Sequence, residues 1–145
     1  MRAVVQVASA AQVEVDGEIV GQLPSSGLVV LLGITHEDDA ATARKVAEKI
    51  WRLRILDGET SCESEHAPLL VVSQFTLYGS VRKGRRPSWT QAAPASHSEP
   101  LYEYFIEYLR SLGASVSSGV FGAMMQVSLT NSGPFTLWVD SADLP

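Results

Sequence analysis

Apolar and polar positions alternate along the first third of the chain with a period near two. "RAVVQV" is apolar and β-branched, and "QVEV-DG-EIV" sets two alternating runs on either side of Asp16-Gly17. That dipeptide suits the positive-φ positions of a tight hairpin turn. "GLVVLLGI" is continuous rather than alternating, which predicts a central strand buried on both faces. The period then changes. Within "THEDDAATARKVAEKIWRLRI" the residues Ala43, Val46, Ala47, Ile50 and Trp51 fall on one helical face. Glu37, Asp38 and Asp39 crowd its start, where the helix dipole favours negative charge. "LLVVSQFTLY" returns to strand character. A second helix is predicted from about Glu99 to Leu112, with Leu101, Tyr104, Phe105, Tyr108, Leu109 and Leu112 on one stripe. Ser96 and Glu99 are spaced for its capping box, and Gly113 is placed to end it. Three strands, "ASVSSG", "MMQVSL" and "FTLWVD", close the chain, and "ADLP" reads as a short tail.

This succession of elements, without repeat, linker or low-complexity tract, predicts one α+β domain, residues 1–141, followed by the tail at 142–145. A length of 145 residues fits one domain, and 46% hydrophobic with 19% charged residues is ordinary for a globular protein. The longest apolar stretch, Leu28 to Ile34, is far short of a membrane span, and "MRAVVQV" is too short and strand-like for a signal peptide. The single cysteine, Cys62, rules out an internal disulfide and suits a reducing cytoplasm. Its acidic neighbours give it nothing that would lower a thiol pKa.

A net charge of −5 argues against a surface that coats nucleic acid broadly. Yet Arg82, Lys83, Arg85 and Arg86 crowd into "VRKGRRPSW", a patch suited to one local anionic contact such as a run of phosphates, or else a solvated loop. His36, His66 and His97 lie thirty or more residues apart with no metal-binding spacing, so no metal is expected. Ser80 and Lys83 match S-x-x-K in form only; a small amidase built on them would need a helix there, which Gly84 and Pro87 disfavour. Two stretches remain. "SQFTLYG" (73–79) puts hydrogen-bonding side chains where an apolar strand meets the basic loop, without a general base nearby in sequence for a Ser or Thr nucleophile. It could equally be a strand-end turn satisfying its own backbone. "NSGPF" (131–135) places a Gly-Pro pair where a plain hairpin needs only Asn-Gly, so it is either an odd hairpin turn or a stiff kink with a purpose.

In their order and flanks these stretches resemble the D-aminoacyl-tRNA deacylase family. "MRAVVQ", "DGEIVG", "GLVVLLGITHED", "VVSQFTLYG", "RKGRRPSW", "FGAMMQVSL", "NSGPFT" and "WVDS" carry the resemblance along nearly the whole chain, with "SQFTLY" and N-x-G-P-x-T as the two signature motifs. It implies a largely antiparallel or mixed, barrel-like sheet with two main helices, and a cytoplasmic homodimer that needs no cofactor. It further implies hydrolysis of the ester joining a D-amino acid, or glycine mischarged on tRNA(Ala), to tRNA. Ser73, Gln74, Phe75 and Thr76 would line the ester, with the Phe75 and Thr76 amides on the oxyanion and the ribose 2′-hydroxyl helping an attacking water. Gly133 and Pro134, joined by a cis bond, would reach into the partner subunit's site and reject L-amino acids. Met125 would line the adenosine pocket or serve the core, and Arg82, Lys83, Arg85 and Arg86 would meet acceptor-stem phosphates.

Two departures stand out. Where the family usually has an arginine supporting the Gly-Pro loop, this chain has Val7; the segment Asp57–Pro68 is short and lacks the M-N-x-S pattern. A non-catalytic tRNA-binding homologue is the alternative reading. The missing arginine fits it, and the intact signature motifs speak against it.

Overall fold

The computed structural model describes residues 1–145. The two N-terminal runs fuse into one strand, β1 (Arg2–Val15), which turns at Asp16-Gly17 into β2 (Glu18–Gln22). Both turn residues have positive φ (51° and 80°), as a tight hairpin requires. There follow β3 (Gly27–Gly33), α1 (Ala40–Arg52), the single turn α2 (Cys62–Glu65) and β4 (Leu69–Ser73). A 3-10 turn (Phe75–Tyr78), α3 (Ala95–Ser111), β5 (Val116–Ser118) and β6 (Gln126–Asp140) complete the domain, and a last 3-10 turn covers Ser141–Asp143.

β1 is the hub. Along one edge its residues 2–8 pair with β3 and its residues 12–15 with β2, all antiparallel; along the other edge runs β6. β3, β4 and β5 are parallel neighbours. β5 then returns towards β2, where a Cβ on Gly21 would stand only 2.2 Å from the Ser118 carbonyl oxygen. Glycine is what lets these backbones approach, and the mixed sheet nearly closes into a barrel. Alternate residues of β3 face opposite ways: Leu28, Val30 and Leu32 join the larger core under α1 and α3, while Val29 joins a smaller core with Ala8, Val13, Leu70 and Val72. The continuous apolar run is thus buried on both faces, as its pattern predicts.

Three expectations need correction. The helix α3 begins at Ala95 behind Pro94, so Ser96 and Glu99 lie inside it and no side-chain cap forms. Proline presets the φ of −66° from which the helix starts. At the other end Gly113 has φ 101° and the Ala114 N–H reaches the Leu109 carbonyl at 3.1 Å, the glycine stop the sequence suggests. The buried stripe takes Tyr102 and Ile106 with Leu101, Phe105 and Leu109, and leaves Tyr104 and Tyr108 half-exposed and stacked on each other. Second, the strand through "SQFTLY" stops at Ser73, and the rest curls into the 3-10 turn.

Third, "MMQVSL" and "FTLWVD" are not separate strands, and of the two readings left open for "NSGPF" the hairpin turn is the one that does not hold. Both belong to β6 and both pair with β1 in the same sense: Thr136 opposite Gln6, Asn131 opposite Ala8. Residues Ser132 to Phe135 therefore face Val7 alone and bulge outward, while the chain continues in its original direction.

Candidate active site

A cleft of about 610 Å³ opens where β3 and β4 end, a volume in the usual range for small-molecule sites. Its walls are the Phe75–Tyr78 turn, the first residues of α3, and the segment Phe121–Met125 that leads into β6. Ser73, Gln74, Phe75, Thr76 and Met125 all line it, so the structure brings together five of the residues singled out by sequence. None of the lining residues carries a carboxylate, imidazole, ammonium, thiol or phenol.

The turn offers main-chain groups instead. Gln74 N–H donates to the Leu32 carbonyl at 2.8 Å, fastening the start of the turn to β3. A Cβ on Gly33 would sit 3.0 Å from the Gln74 carbonyl oxygen, so a bare backbone is needed beneath it. The internal hydrogen bonds of the turn begin with Leu77 N–H donating to the Gln74 carbonyl, at 3.2 Å. The preceding amides of Phe75 and Thr76 have no partner in the fold, and Gln74 offers no side-chain cap. A helical turn always leaves its first N–H groups unpaired. Here two successive ones belong to residues that line the cleft, an arrangement able to hold a developing oxyanion. The Thr76 hydroxyl accepts a hydrogen bond from Gln74 Nε2 at 2.5 Å and has no base beside it.

Met125 lies between the cleft and the smaller core. Its side chain lies over Gly119, where a Cβ would meet its Sδ at 2.7 Å, and it packs on the smaller core while lining the cleft. Sequence reasoning passed over Phe121, Met124, Ser98 and Val127, which complete the walls. The signal for Phe121, Met124 and Val127 was in the quoted "FGAMMQVSL"; Ser98 gave none, because it arrives from a helix whose start the sequence misplaces. Phe121 is held against Tyr102, with ring centroids 5.8 Å apart. Tyr102 O–H in turn donates to the Val71 carbonyl at 2.8 Å, and burial pushes its pKa up to about 12.

Next to the turn stands the basic loop. Ser80 and Ser88 close its base with two backbone hydrogen bonds of 2.8 Å, and Gly84 takes a positive φ of 64° at its tip. Arg82, Lys83, Arg85 and Arg86 are exposed, and none joins an ion pair. No helix covers Ser80 and Lys83, so the arrangement that an amidase reading requires is absent.

Gly133 and Pro134 are elsewhere. Their peptide bond is cis, both residues are exposed on the outward bulge of β6, and neither lines the cleft of their own chain. The bulge is braced by Asn131, whose Nδ2 donates to the Val7 carbonyl at 2.8 Å and to the Phe135 carbonyl at 3.1 Å. Gln6 Nε2 donates to Thr136 Oγ1 at 3.2 Å. Val7 thus supports the loop through its backbone, whatever its side chain. The short 57–68 segment supplies no cleft wall. It is folded on its own terms, with Ser61 capping α2 and Cys62 in the core, where burial raises its thiol pKa to about 12.

Comparison with known proteins matches this arrangement to a family. A solved structure described as c-Myc DNA unwinding element binding protein superposes with a TM-score of 0.89 at 36% identity, covering 97% of this chain and 98% of that one. A probable eukaryotic D-amino acid tRNA deacylase shares the fold, with a TM-score of 0.81 at 18% identity over 95% of this chain and 97% of that one. The D-aminoacyl-tRNA deacylase of Cutibacterium acnes is 58% identical over 143 residues, 99% of each chain. That of Micrococcus luteus is 60% identical over 144 residues, 99% of this chain and 96% of its own. A family profile described as D-Tyr-tRNA(Tyr) deacylase spans residues 4–140. By this full-length likeness the chain belongs to the D-Tyr-tRNA(Tyr) deacylase family, a family of ester hydrolases.

Proposed function

We propose that the protein frees tRNA from D-amino acids, and from glycine mischarged on tRNA(Ala), and that the backbone at Gly133-Pro134 of a partner subunit turns L-amino acids away. The observation that carries the catalytic part is the pair of unpartnered amides at Phe75 and Thr76 in a cleft without titratable side chains. The ester carbonyl oxygen sits against these two N–H groups. Water attacks the carbonyl carbon with its proton passing to RNA, the neighbouring ribose 2′-hydroxyl serving as relay. Collapse of the tetrahedral intermediate breaks the ester C–O bond and returns the proton to the ribose 3′-oxygen. Phe121 and Met125 supply an apolar pocket for the terminal adenosine.

Position supports the assignment of the filter to a partner. The Gly133-Pro134 bulge lies outside its own cleft, on a strand whose outer edge is unpaired and which exposes Phe135 and Trp138. An open apolar edge of this kind invites a second copy. A two-fold dimer would then make each subunit give one loop and receive one. The ground for a non-catalytic homologue was the missing arginine at position 7, and the hydrogen bonds from Asn131 and Gln6 weaken it. No helix is long and apolar enough to cross a membrane; we place the reaction in the cytoplasm, where charged tRNA is made.

The deciding experiment measures release of D-Tyr, L-Tyr and Gly from matched charged tRNAs. A hydrophobic pocket separates close analogues by only about 10–200-fold. Rigid backbone set against the L side chain should exceed the lower end easily, so D-Tyr and Gly are released and L-Tyr is spared. Comparable release of D-Tyr and L-Tyr rejects the filter.

Two further outcomes follow from the site. Thr76→Ala should keep deacylation within about tenfold of wild type, since its hydroxyl has no activating base and amides survive side-chain truncation. An aminoacyl ester trapped on Thr76 would contradict this. Replacing Arg82, Lys83, Arg85 and Arg86 with alanine should reduce the slope of log K against log salt for tRNA binding by roughly 3–4, because fewer counterions are released. An unchanged slope would leave the loop a solvated face.

A further inference from the structure

Trp89 has no part in the mechanism above, yet its setting is specific. It follows directly on Ser88, which closes the basic loop, and it meets Phe75 edge to face with ring centroids 5.5 Å apart and planes at 71°. The indole also rests on Gly79, where a Cβ would stand 2.5 Å from Trp89 Cζ3, so any side chain at position 79 would displace the ring. The chain beyond it is tied down. Thr35 Oγ1 donates to the Gln91 carbonyl at 2.5 Å, and His36 Nε2 lies 2.8 Å from the Thr90 carbonyl. Despite this support Trp89 remains 45% exposed and Phe75 56% exposed. Two large aromatics stand packed together in solvent, Phe75 on the wall of the cleft and Trp89 at the foot of the loop that carries the four unpaired cations.

Rigid exposed aromatics beside a positive groove are how proteins hold single-stranded nucleic acid, because every base offers a face for stacking. A tRNA with its terminal nucleoside in the cleft and its stem phosphates at the basic loop must pass its unpaired 3′ tail between the two. Trp89 stands at that crossing. We infer that Trp89 is a stacking platform for the base next to the terminal adenosine, and so fixes the path of the tail into the site. The inference rests on the deacylase reading and adds a binding residue to it.

The test uses full-length protein and D-Tyr-tRNA, either intact or abasic at the penultimate position. Trp89→Ala should raise KM about tenfold or more, the usual scale for losing one stacked base, with the loss falling on KM rather than kcat. Trp89→Phe should recover most of it and Trp89→Leu little, whereas a mere brace would be rescued by leucine and would shift the melting temperature. The abasic substrate should raise the wild-type KM by a similar factor and add nothing further in Trp89→Ala. Unchanged KM in Trp89→Ala, or an undiminished abasic effect in that variant, overturns the inference while leaving deacylation intact. Failure of the wild type to deacylate any D-aminoacyl-tRNA overturns the deacylase reading, and this inference with it.

Discussion

Phe75→Pro should lower kcat by about 10²–10³-fold relative to Phe75→Ala, the usual cost of removing one oxyanion donor. The comparison isolates a single backbone N–H, since both variants lose the aromatic ring. Few positions would tolerate the change so well. The Phe75 amide makes no hydrogen bond within the fold, and the turn begins at this residue, where proline is accepted. Gln74, the residue before it, already has φ −146° and ψ 77°, outside the helical region that a following proline would forbid. Melting temperatures of the two variants should therefore agree within a few degrees. If Phe75→Pro and Phe75→Ala turn over alike, the amide is not part of the reaction and the catalytic reading of the cleft fails.

The second large effect is expected at Gly133. A Cβ built there has only Asn131 Oδ1, at 3.9 Å, within reach. Gly133→Val should consequently fold normally, with stability within about 0.5 kcal/mol of wild type, as for other exposed sites. Its D-aminoacyl-tRNA hydrolysis should nevertheless fall by about 10²-fold, because misplacing a substrate by an ångström costs that much. The damage should appear in the partner's cleft. Mixing Gly133→Val with Phe75→Pro and allowing subunits to exchange gives heterodimers with one site carrying both defects and one carrying neither. Two nearly inactive proteins should then regain up to about a quarter of wild-type activity, the share of intact sites in a random two-fold mixture. No recovery despite confirmed exchange would mean that the loop serves its own chain, or nothing.

Much of this architecture could be read from residue order, and the limits of that reading have local causes. Period-two and period-3.6 patterns located the sheet strands and both main helices because burial imposes those periods. Asp16-Gly17 and Gly113 marked their turns because both take positive φ. The capping box failed because Pro94 had already set the helix start four residues before Glu99. The choice between hairpin and kink stayed open for a different reason: a strand that bulges and continues has the same local signature as one that turns back, and only pairing with β1 separates them. The cleft was half legible. "SQFTLY" announced itself through its family likeness, but that the Phe75 and Thr76 amides are left without partners in the fold is a main-chain property that no side-chain motif can advertise. Ser98 reaches the walls only through tertiary packing.

The bulge at Ser132–Phe135 also sets where this protein can tolerate a change in length. β6 is locked to β1 on both sides of it, at Gln126–Asn131 and at Thr136–Asp140. Adding or deleting one residue in either locked half would turn every later side chain to the opposite face of the sheet. Within the bulge the same change would be absorbed, because those residues have no register to keep. The reach of the loop can therefore be lengthened or shortened without refolding the sheet beneath it. If the loop filters substrates as proposed, their tolerance would be adjustable by insertion at this one place in the chain, while the walls of the cleft stay fixed.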